Sequence, residues 1–198
     1  QYVTYEMERD DKGVFRTEVS GDLEGCSYVY LVRVDGVWQE TLDPYACASI
    51  ENSKRSAIID MSKIKVKDYD LDEMKSMCDA IIYEASVRDF TIDEHSGVTK
   101  RGTFEGFVEE NAHTKAKTTG FTYLKSLGIT HLQLLPVFDF GSVDENKPLT
   151  FYNWGYDPVQ YRVLEGSFST KASDPYDRIL AFVNLVEQCH KAGIRVNL

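Results

Sequence analysis

Seven residues in the C-terminal half of the chain, Tyr-Asn-Trp-Gly-Tyr-Asp-Pro at positions 152–158, combine residue types that can hold a sugar. A sugar ring has an apolar face of C–H groups, which an aromatic plane covers, and a rim of hydroxyls, which a carboxylate or amide holds. Trp154 and Tyr156 supply the planes, and Asn153 and Asp157 supply the polar groups. The pattern predicts a carbohydrate-binding loop. The alternative left open is that these aromatic rings pack on neighbouring loops.

The composition excludes several other classes of function. The chain has 198 residues, of which 42% are hydrophobic and 27% are charged, with a net charge of −10. A duplex nucleic-acid binder needs a basic footprint, so we expect no nucleic-acid partner. Since there is no apolar run of about eighteen residues, we expect no membrane span. No charged-then-apolar leader opens the chain, so no signal peptide is expected, and cytoplasmic and secreted locations both stay open.

Four cysteines, Cys26, Cys47, Cys78 and Cys189, show neither a CxxC pair nor the spacing of a zinc site. The sequence therefore predicts buried or half-buried free thiols. A disulfide between Cys26 and Cys47 remains an alternative.

The first 66 residues predict short antiparallel strands. Polar and apolar residues alternate over 15–19, and a β-rich run over 28–34 ends at Asp35-Gly36, a hairpin signal. Another short apolar run covers 57–61. Strands at this spacing, without a helical period, indicate a small antiparallel sandwich.

After a charged linker over 67–79, strands and helices alternate, which predicts parallel strands joined by crossovers. The elements are a strand at 80–87, a helix at 120–127 stopped by Gly128, a strand at 130–138, a helix at 173–193 and a strand at 194–198. The long segments that follow the first two strands, 88–119 and 139–172, are predicted to be loops. Both lie at the carboxyl ends of the strands, where such folds bind ligands.

Each predicted helix carries apolar residues at helical spacing, which indicates the face that packs on the sheet. In the first helix these are Phe121, Leu124 and Leu127. In the second they are Ile179, Phe182, Val183 and Val186.

The seven-residue motif resembles the signature of type I pullulanases, the α-glucan debranching branch of the α-amylase superfamily. The resemblance continues through Ile-Ile-Tyr-Glu-Ala-Ser-Val-Arg-Asp-Phe at 81–90 and through 120–145, 165–170 and 192–198. The N-terminal part resembles the β-sandwich module that precedes the barrel in debranching and branching enzymes. Two positions depart from the pattern, Ser86 where the family usually has His and Leu164 where it often has Pro.

The resemblance implies an α/β architecture: an N-terminal antiparallel β-sandwich, then about three strands of an incomplete (β/α)8 TIM barrel. The implied divisions are a carbohydrate-binding-like sandwich at 1–66, a linker at 67–79 and the opening part of a catalytic domain at 80–198. We expect the rest of the barrel, from the same gene or a complementary chain, or an oligomer, to cover the exposed sheet edge.

The implied function is hydrolysis of α-1,6 branch points in pullulan, starch or glycogen dextrins, with retention. Tyr156 would stack on the glucose at the cleavage subsite and Asp157 would bind sugar hydroxyls, while Asn153 and Trp154 would line the cleft. The partner is then an α-glucan. The alternatives are another α-glucan enzyme, such as an amylase or branching enzyme, and a non-catalytic glucan-binding protein.

Retaining hydrolysis needs two carboxyls about 5–5.5 Å apart, and the resemblance places them beyond Leu198, so this chain alone is expected to be inactive. The acids of the second long segment show no spacing that makes two carboxyls face each other, and we expect them to be solvated: Asp139, Asp144, Glu145, Asp157 and Glu165. No cofactor is predicted. Calcium occurs in the superfamily, but no oxygen-ligand loop indicates it here.

Overall fold

The structure, a computed structural model, describes residues 2–67 and 69–198. It is mostly sheet with few helices. The strands are β1 (Glu8–Arg9), β2 (Phe15–Arg16), β3 (Ser27–Tyr28), β4 (Tyr30–Val34), β5 (Val37–Thr41), β6 (Ser56–Ala57), β7 (Ile82–Ala85), β8 (His131–Leu134), β9 (Phe138–Phe140), β10 (Pro158–Leu164) and β11 (Arg195–Asn197). The α-helices are α1 (Phe104–Phe107), α2 (Gly120–Ser126) and α3 (Pro175–Lys191).

The N-terminal strands are antiparallel, as predicted, but they form three separate pairs: β1 with β2, β3 with β6, and β4 with β5. The predicted hairpin is confirmed, because Val34 pairs with Val37 and both loop residues, Asp35 and Gly36, have positive φ. The run over 28–34 is not one strand, since β3 and β4 pair with different partners. The run over 57–61 contributes only its first residue to a strand.

Three parallel strands form the central sheet, in the order β11–β8–β7. β8 lies in the middle, with Leu132 opposite Tyr83 on one side and Val196 on the other. The predicted parallel pairing of the three strands is therefore confirmed. Gly128 has a φ of +68° after α2, which lets the chain reverse into β8.

The segment 139–172 was predicted to be a loop, and this is wrong in part. It contains most of β9 and all of β10, which pair antiparallel with two register shifts. Polar residues alternate with apolar or aromatic ones only over 159–163, too short a period to identify the strand inside a long polar segment. The aromatic motif therefore lies at the end of the connection between two paired antiparallel strands, β9 and β10.

The segment 88–119 is likewise more than a loop, because it contains α1. Thr103 caps this helix by accepting a hydrogen bond from the Gly106 backbone N–H at 3.0 Å. Phe104 and Phe107 are fully buried beneath it. Two phenylalanines in a polar stretch were the available signal for this buried turn.

One core holds the parallel part together, and its members come from β7, β8 and all three helices. The buried members lie between Ala85 and Ile194. The fully buried large apolar side chains are Val87, Phe104, Phe107, Phe121, Leu124, Leu132, Val137, Val163 and Leu185. Phe121 and Leu124 confirm the predicted face of α2, whereas Leu127 remains 39% exposed.

Helix α3 begins at Pro175, two residues after the predicted start at 173, and its buried face is rotated from the predicted one. The side chains it buries are Arg178, Ala181, Leu185 and Cys189. Phe182 and Val186 pack at the edge of the core, and Ile179 and Val183 are half-buried. The prediction was wrong because it left out an arginine that lies at helical spacing on the true face.

The cysteine prediction is also corrected. Within the described residues all four thiols are free, and Cys26, Cys47 and Cys78 are exposed rather than buried. Burial of Cys189 in the core raises the pKa of its thiol to about 12. Among residues 2–67 and 69–198, none of the helices combines the length and the apolar character that crossing a bilayer requires.

Asp174 caps α3, since its carboxylate accepts a hydrogen bond from the Tyr176 backbone N–H at 3.1 Å. We expect Asp174→Ala to lower the free energy of unfolding by about 1 kcal/mol, because a free backbone N–H then loses its acceptor. Urea denaturation measures this loss. Asp11→Ala, which removes an exposed acid near the start of the chain, is the control and is expected to change stability by less than about 0.5 kcal/mol. Equal effects of the two changes would contradict the cap.

Candidate aromatic binding segment and a buried charge cluster

The aromatic segment, defined as residues 152–158, projects from the end of the β9–β10 ribbon. It is tied to the ribbon at Gly141, whose backbone N–H donates to the Asp157 carbonyl at 3.1 Å. The Asn153 side chain donates to the Gly141 carbonyl at 2.8 Å and also to the Asp157 carboxylate at 2.8 Å. Asn153 and Asp157, which lie near the two ends of the segment, are thus both bonded to Gly141, the residue that directly follows β9.

Gly155 places the segment close to the end of β8. Its φ is +90°, and a Cβ there would come within 3.0 Å of both the Cβ and the carbonyl oxygen of Pro136. Its backbone N–H donates to the Asn153 side-chain oxygen at 2.8 Å. Only glycine combines this conformation with so close an approach. The position of the neighbouring rings thus depends on Gly155.

The three aromatic side chains of the segment face solvent. Tyr152, Trp154 and Tyr156 are 64%, 63% and 60% exposed. Trp154 and Tyr156 meet edge to face, with ring centroids 5.2 Å apart. The Arg88 guanidinium lies 5.5 Å from the centroid of the Tyr152 ring, so the segments that follow β7 and β8 meet here. Exposed, mutually supported rings offer flat surfaces for a ligand.

Asn153 and Asp157, the two predicted polar sugar contacts, differ in how many of their side-chain polar atoms already have partners. The Asn153 amide nitrogen donates to Gly141 and to Asp157, and its oxygen accepts from Gly155, so each polar atom of this side chain has a partner. Asp157 is exposed and uses one carboxylate oxygen on Asn153. The other oxygen of Asp157 lies near Gly141 and retains acceptor capacity.

A separate open cleft of about 620 Å³ runs along β7, with Tyr83, Ser86, Asp89, Lys117 and Tyr123 among its lining residues. Ser86, the position that departs from the family pattern, is therefore in a groove. None of the aromatic segment lines this cleft.

Beneath the ribbon lies a cluster of buried charges, Asp139, Glu145, Glu165 and Arg178, each at most 4% exposed. The carboxyl oxygens of the three acids lie within 4.8 Å of one another. The prediction that these three acids are solvated, with none facing another, is wrong. They converge because β9, the turn after it and the end of β10 meet at one face of α3. Asp144 has a lowered pKa, with the backbone N–H of Asn146 as the main cause.

Arg178 neutralises part of this cluster. Its guanidinium lies 3.1 Å from Glu145 and 3.5 Å from Asp139, and it donates to the Leu164 and Ala172 carbonyls at 2.9 Å each. The guanidinium therefore supplies the positive charge that Asp139 and Glu145 face. Since the acids are also sealed from solvent, they cannot reach a sugar and cannot act as the acid and nucleophile of hydrolysis.

Burial raises the pKa values of the three acids of the cluster. Burial, reinforced by the charge of Glu145, raises the pKa of Glu165 to about 7, against the opposing hydrogen bonds from Ser167 and Phe140. Burial also raises the pKa of Asp139 and Glu145, while Arg178 acts in the opposite direction. One guanidinium cannot balance three carboxylates, so holding a proton on Glu165 reduces the net negative charge of the cluster.

One signal in the sequence could have identified the cluster. Arg178 lies three, seven and eleven residues before Ala181, Leu185 and Cys189, which is helical spacing on an apolar face. A buried arginine requires buried acids. Its partners lie up to 39 residues away in the chain, so spacing alone could not name them.

Exposed aromatic rings with a polar acceptor beside them, held next to a parallel sheet, are typical of carbohydrate-binding sites. A scan against protein-family models found no match. The pullulanase of Bacillus subtilis (strain 168) is 37% identical over 196 residues, which are 98% of this chain and 27% of that protein. Pullulanase A of Streptococcus pneumoniae serotype 4 is 33% identical and matches 96% of this chain and 17% of its own length.

A comparison with solved structures also finds pullulanases. The crystal structure of pullulanase from Anoxybacillus sp. LM18-11 complexed with maltotetraose superposes with a TM-score of 0.95 at 41% identity, over 98% of this chain and 29% of that one. Over nearly its whole length the chain therefore matches one portion of pullulanases, which are glycoside hydrolases. It spans about a quarter of the length of the Bacillus relative.

Proposed function

We propose that this chain forms one wall of the substrate cleft in a pullulanase-type glycoside hydrolase. The whole enzyme would cleave α-1,6 branch points of pullulan, starch or glycogen dextrins with retention. The observation that carries this proposal is the match of nearly the whole chain to a pullulanase solved with maltotetraose. The exposed rings of the aromatic segment give that match a chemical basis.

The proposed architecture is a sandwich-like module at 1–66, a linker at 67–79 and the opening of a (β/α)8 barrel at 80–198. Two observations support these divisions. The N-terminal strands are all antiparallel, whereas β7, β8 and β11 are parallel. The shared core begins at Ala85. In a barrel the two open edges of this sheet would pair with further strands.

Within the segment, Tyr156 is proposed to stack on a glucose ring and Asp157 to accept hydrogen bonds from its hydroxyls. Trp154 supports Tyr156 from the side and lines the cleft. Asn153 holds the loop in shape rather than touching the sugar. The nucleophile and the acid/base are proposed to come from parts of the enzyme outside this chain, because the buried acids here are inaccessible.

We expect Tyr156→Ala, made in the full-length protein, to weaken maltotetraose binding by about tenfold, which corresponds to roughly 1.4 kcal/mol. The cause is the loss of a flat apolar surface that covers the sugar face. Isothermal titration measures the affinity. Tyr161→Ala is the matched control, since Tyr161 is also exposed, at 71%, but lies in β10 outside the segment.

Equal affinities of the two variants and the parent protein would contradict the role of Tyr156.

Products formed from pullulan and from amylose test the reaction itself. Cleavage of pullulan is expected. Cleavage of amylose alone would indicate another α-glucan enzyme, and binding without any release of reducing ends would indicate a non-catalytic glucan-binding protein.

A further inference from the structure

The N-terminal region contains a strained corner at residues 49–53. Asn52 has φ 57° and ψ 31°, and Ser53 has φ 47°. Residues other than glycine are uncommon in this left-handed region, although asparagine tolerates it better than most. Two such residues in a row persist only where surrounding contacts hold them. The contacts of this corner therefore indicate its structural role.

Asn52 makes a reciprocal pair of hydrogen bonds with Glu145. Its backbone N–H donates to the Glu145 carboxylate at 2.8 Å, and its side-chain oxygen accepts from the Glu145 backbone N–H at 2.8 Å. The Asn52 side-chain amide also donates to Asp144 at 3.3 Å. The left-handed backbone of Asn52 aims all three groups at the turn after β9.

The residues on either side of Asn52 contact both strands of the ribbon. The Ser49 hydroxyl donates to Asp139 of β9 at 3.0 Å. The Gln160 side chain, from β10, donates to the Ser53 hydroxyl at 3.2 Å. Ser49, Asp139 and Gln160 are all buried. The corner thus spans β9, the following turn and β10.

These strands are the base from which the aromatic segment projects. Gly141, two residues after Asp139, carries the backbone bond to Asp157 and the side-chain bond from Asn153. Gln160 lies two residues after Pro158, where the segment ends. The corner therefore contacts the ribbon within two residues of both attachment points of the segment.

We propose that the corner at 49–53 is a positioning element, which holds the aromatic segment in its ligand-binding arrangement from the N-terminal region. Asn52 is the positioning residue, acting on the rings through Glu145 and the β9–β10 ribbon. The proposal rests on the proposed function for the part that concerns sugar affinity. It assigns the N-terminal region a role in binding at the cleft, in addition to any ligand contact of its own.

The test is Asn52→Gly in the full-length protein. Glycine adopts the left-handed backbone readily and keeps the backbone donor, so the change removes only the two side-chain hydrogen bonds. Asn111→Gly is the matched control. Asn111 also has a positive φ, of 61°, and is exposed in the segment between α1 and α2.

Two measurements report on the segment. Hydrogen exchange follows the amides of Gly141 and Gly155, which are bonded to Asp157 and Asn153. Titration with maltotetraose gives the sugar affinity. For Asn52→Gly we expect both amides to exchange about tenfold faster and the dissociation constant to rise about fivefold, with KM rising and kcat nearly unchanged. Asn111→Gly is expected to leave all of these unchanged.

A purely structural Asn52 would lower the unfolding midpoint in urea and leave the two amides and the affinity unchanged, which would overturn the proposal. Failure of the proposed function is distinguishable. If the parent protein does not bind maltotetraose, the proposed sugar binding is contradicted. The exchange rates of the Gly141 and Gly155 amides still decide whether Asn52 orders the segment. Faster exchange at both amides in the control as well would also overturn the proposal.

Discussion

Replacing Arg178 by methionine is expected to lower the free energy of unfolding by about 3–5 kcal/mol, the largest effect among these substitutions. Methionine fills much of the space of the arginine stem but carries no charge. It leaves Asp139 and Glu145 buried without their cation, and it leaves the carbonyls of Leu164 and Ala172 without a donor. Urea denaturation monitored by tryptophan fluorescence measures the loss.

The matched control is Arg162→Met. Arg162 is an exposed residue of β10 whose guanidinium lies 5.9 Å from the Tyr45 ring, a contact worth about 0.5–1 kcal/mol. A double variant, Arg178→Met with Glu145→Gln, tests the cause. If the cost arises from an unpaired carboxylate, the double variant is more stable than the sum of the two single changes predicts. A loss below about 1 kcal/mol for Arg178→Met would show that the acids take up protons at little cost.

The second large effect is a pH dependence set by Glu165. Its pKa is about 7 in the folded protein, against a usual 4.5. A folded state that raises the pKa of an acid binds more protons than the unfolded state between these values, so stability falls as the pH rises from about 4.5 to 7. The difference between the two pKa values corresponds to roughly 3 kcal/mol at most. Burial of Asp139 and Glu145 contributes with the same sign.

Glu165→Gln isolates this contribution. Glutamine cannot ionise, so we expect the fall in stability between pH 5 and 8 to flatten. The variant also loses an acceptor for one of the two backbone N–H groups, of Phe140 and Ser167, and is therefore expected to be less stable at pH 5. The measurement is the unfolding free energy at several pH values. Glu73→Gln, at an exposed position of the linker, is the control, and an unchanged slope in Glu165→Gln would refute the assignment.

The buried charge cluster and the corner at 49–53 are connected. Asp139 and Glu145 bind Arg178 on one side and the corner at 49–53 on the other. The charge cluster therefore supports the base of the aromatic segment from beneath, while the corner holds it from the N-terminal region. Loss of Arg178 is expected to disturb both stability and the arrangement of the rings.

The sequence by itself determined the features that depend on local patterns. Apolar spacing located α2 and α3, and the alternation of strands and helices predicted the parallel strands. Asp35-Gly36 located the hairpin, and the seven-residue motif indicated the resemblance to pullulanases. These succeed because hydrogen bonding and side-chain direction repeat over a few residues. The α3 face was missed because a charged residue was assumed to face solvent.

Only the tertiary structure decided which distant residues meet. Asp139, Glu145, Glu165 and Arg178 converge across 39 residues, and Asn52 reaches Glu145 across 93. The tertiary structure also showed that the polar atoms of the Asn153 side chain all have partners in the loop between β9 and β10. The physical reason is that buried charges and polar groups need partners, and the fold brings these partners from distant parts of the chain. Local sequence periodicity carries no information about which distant residues they are.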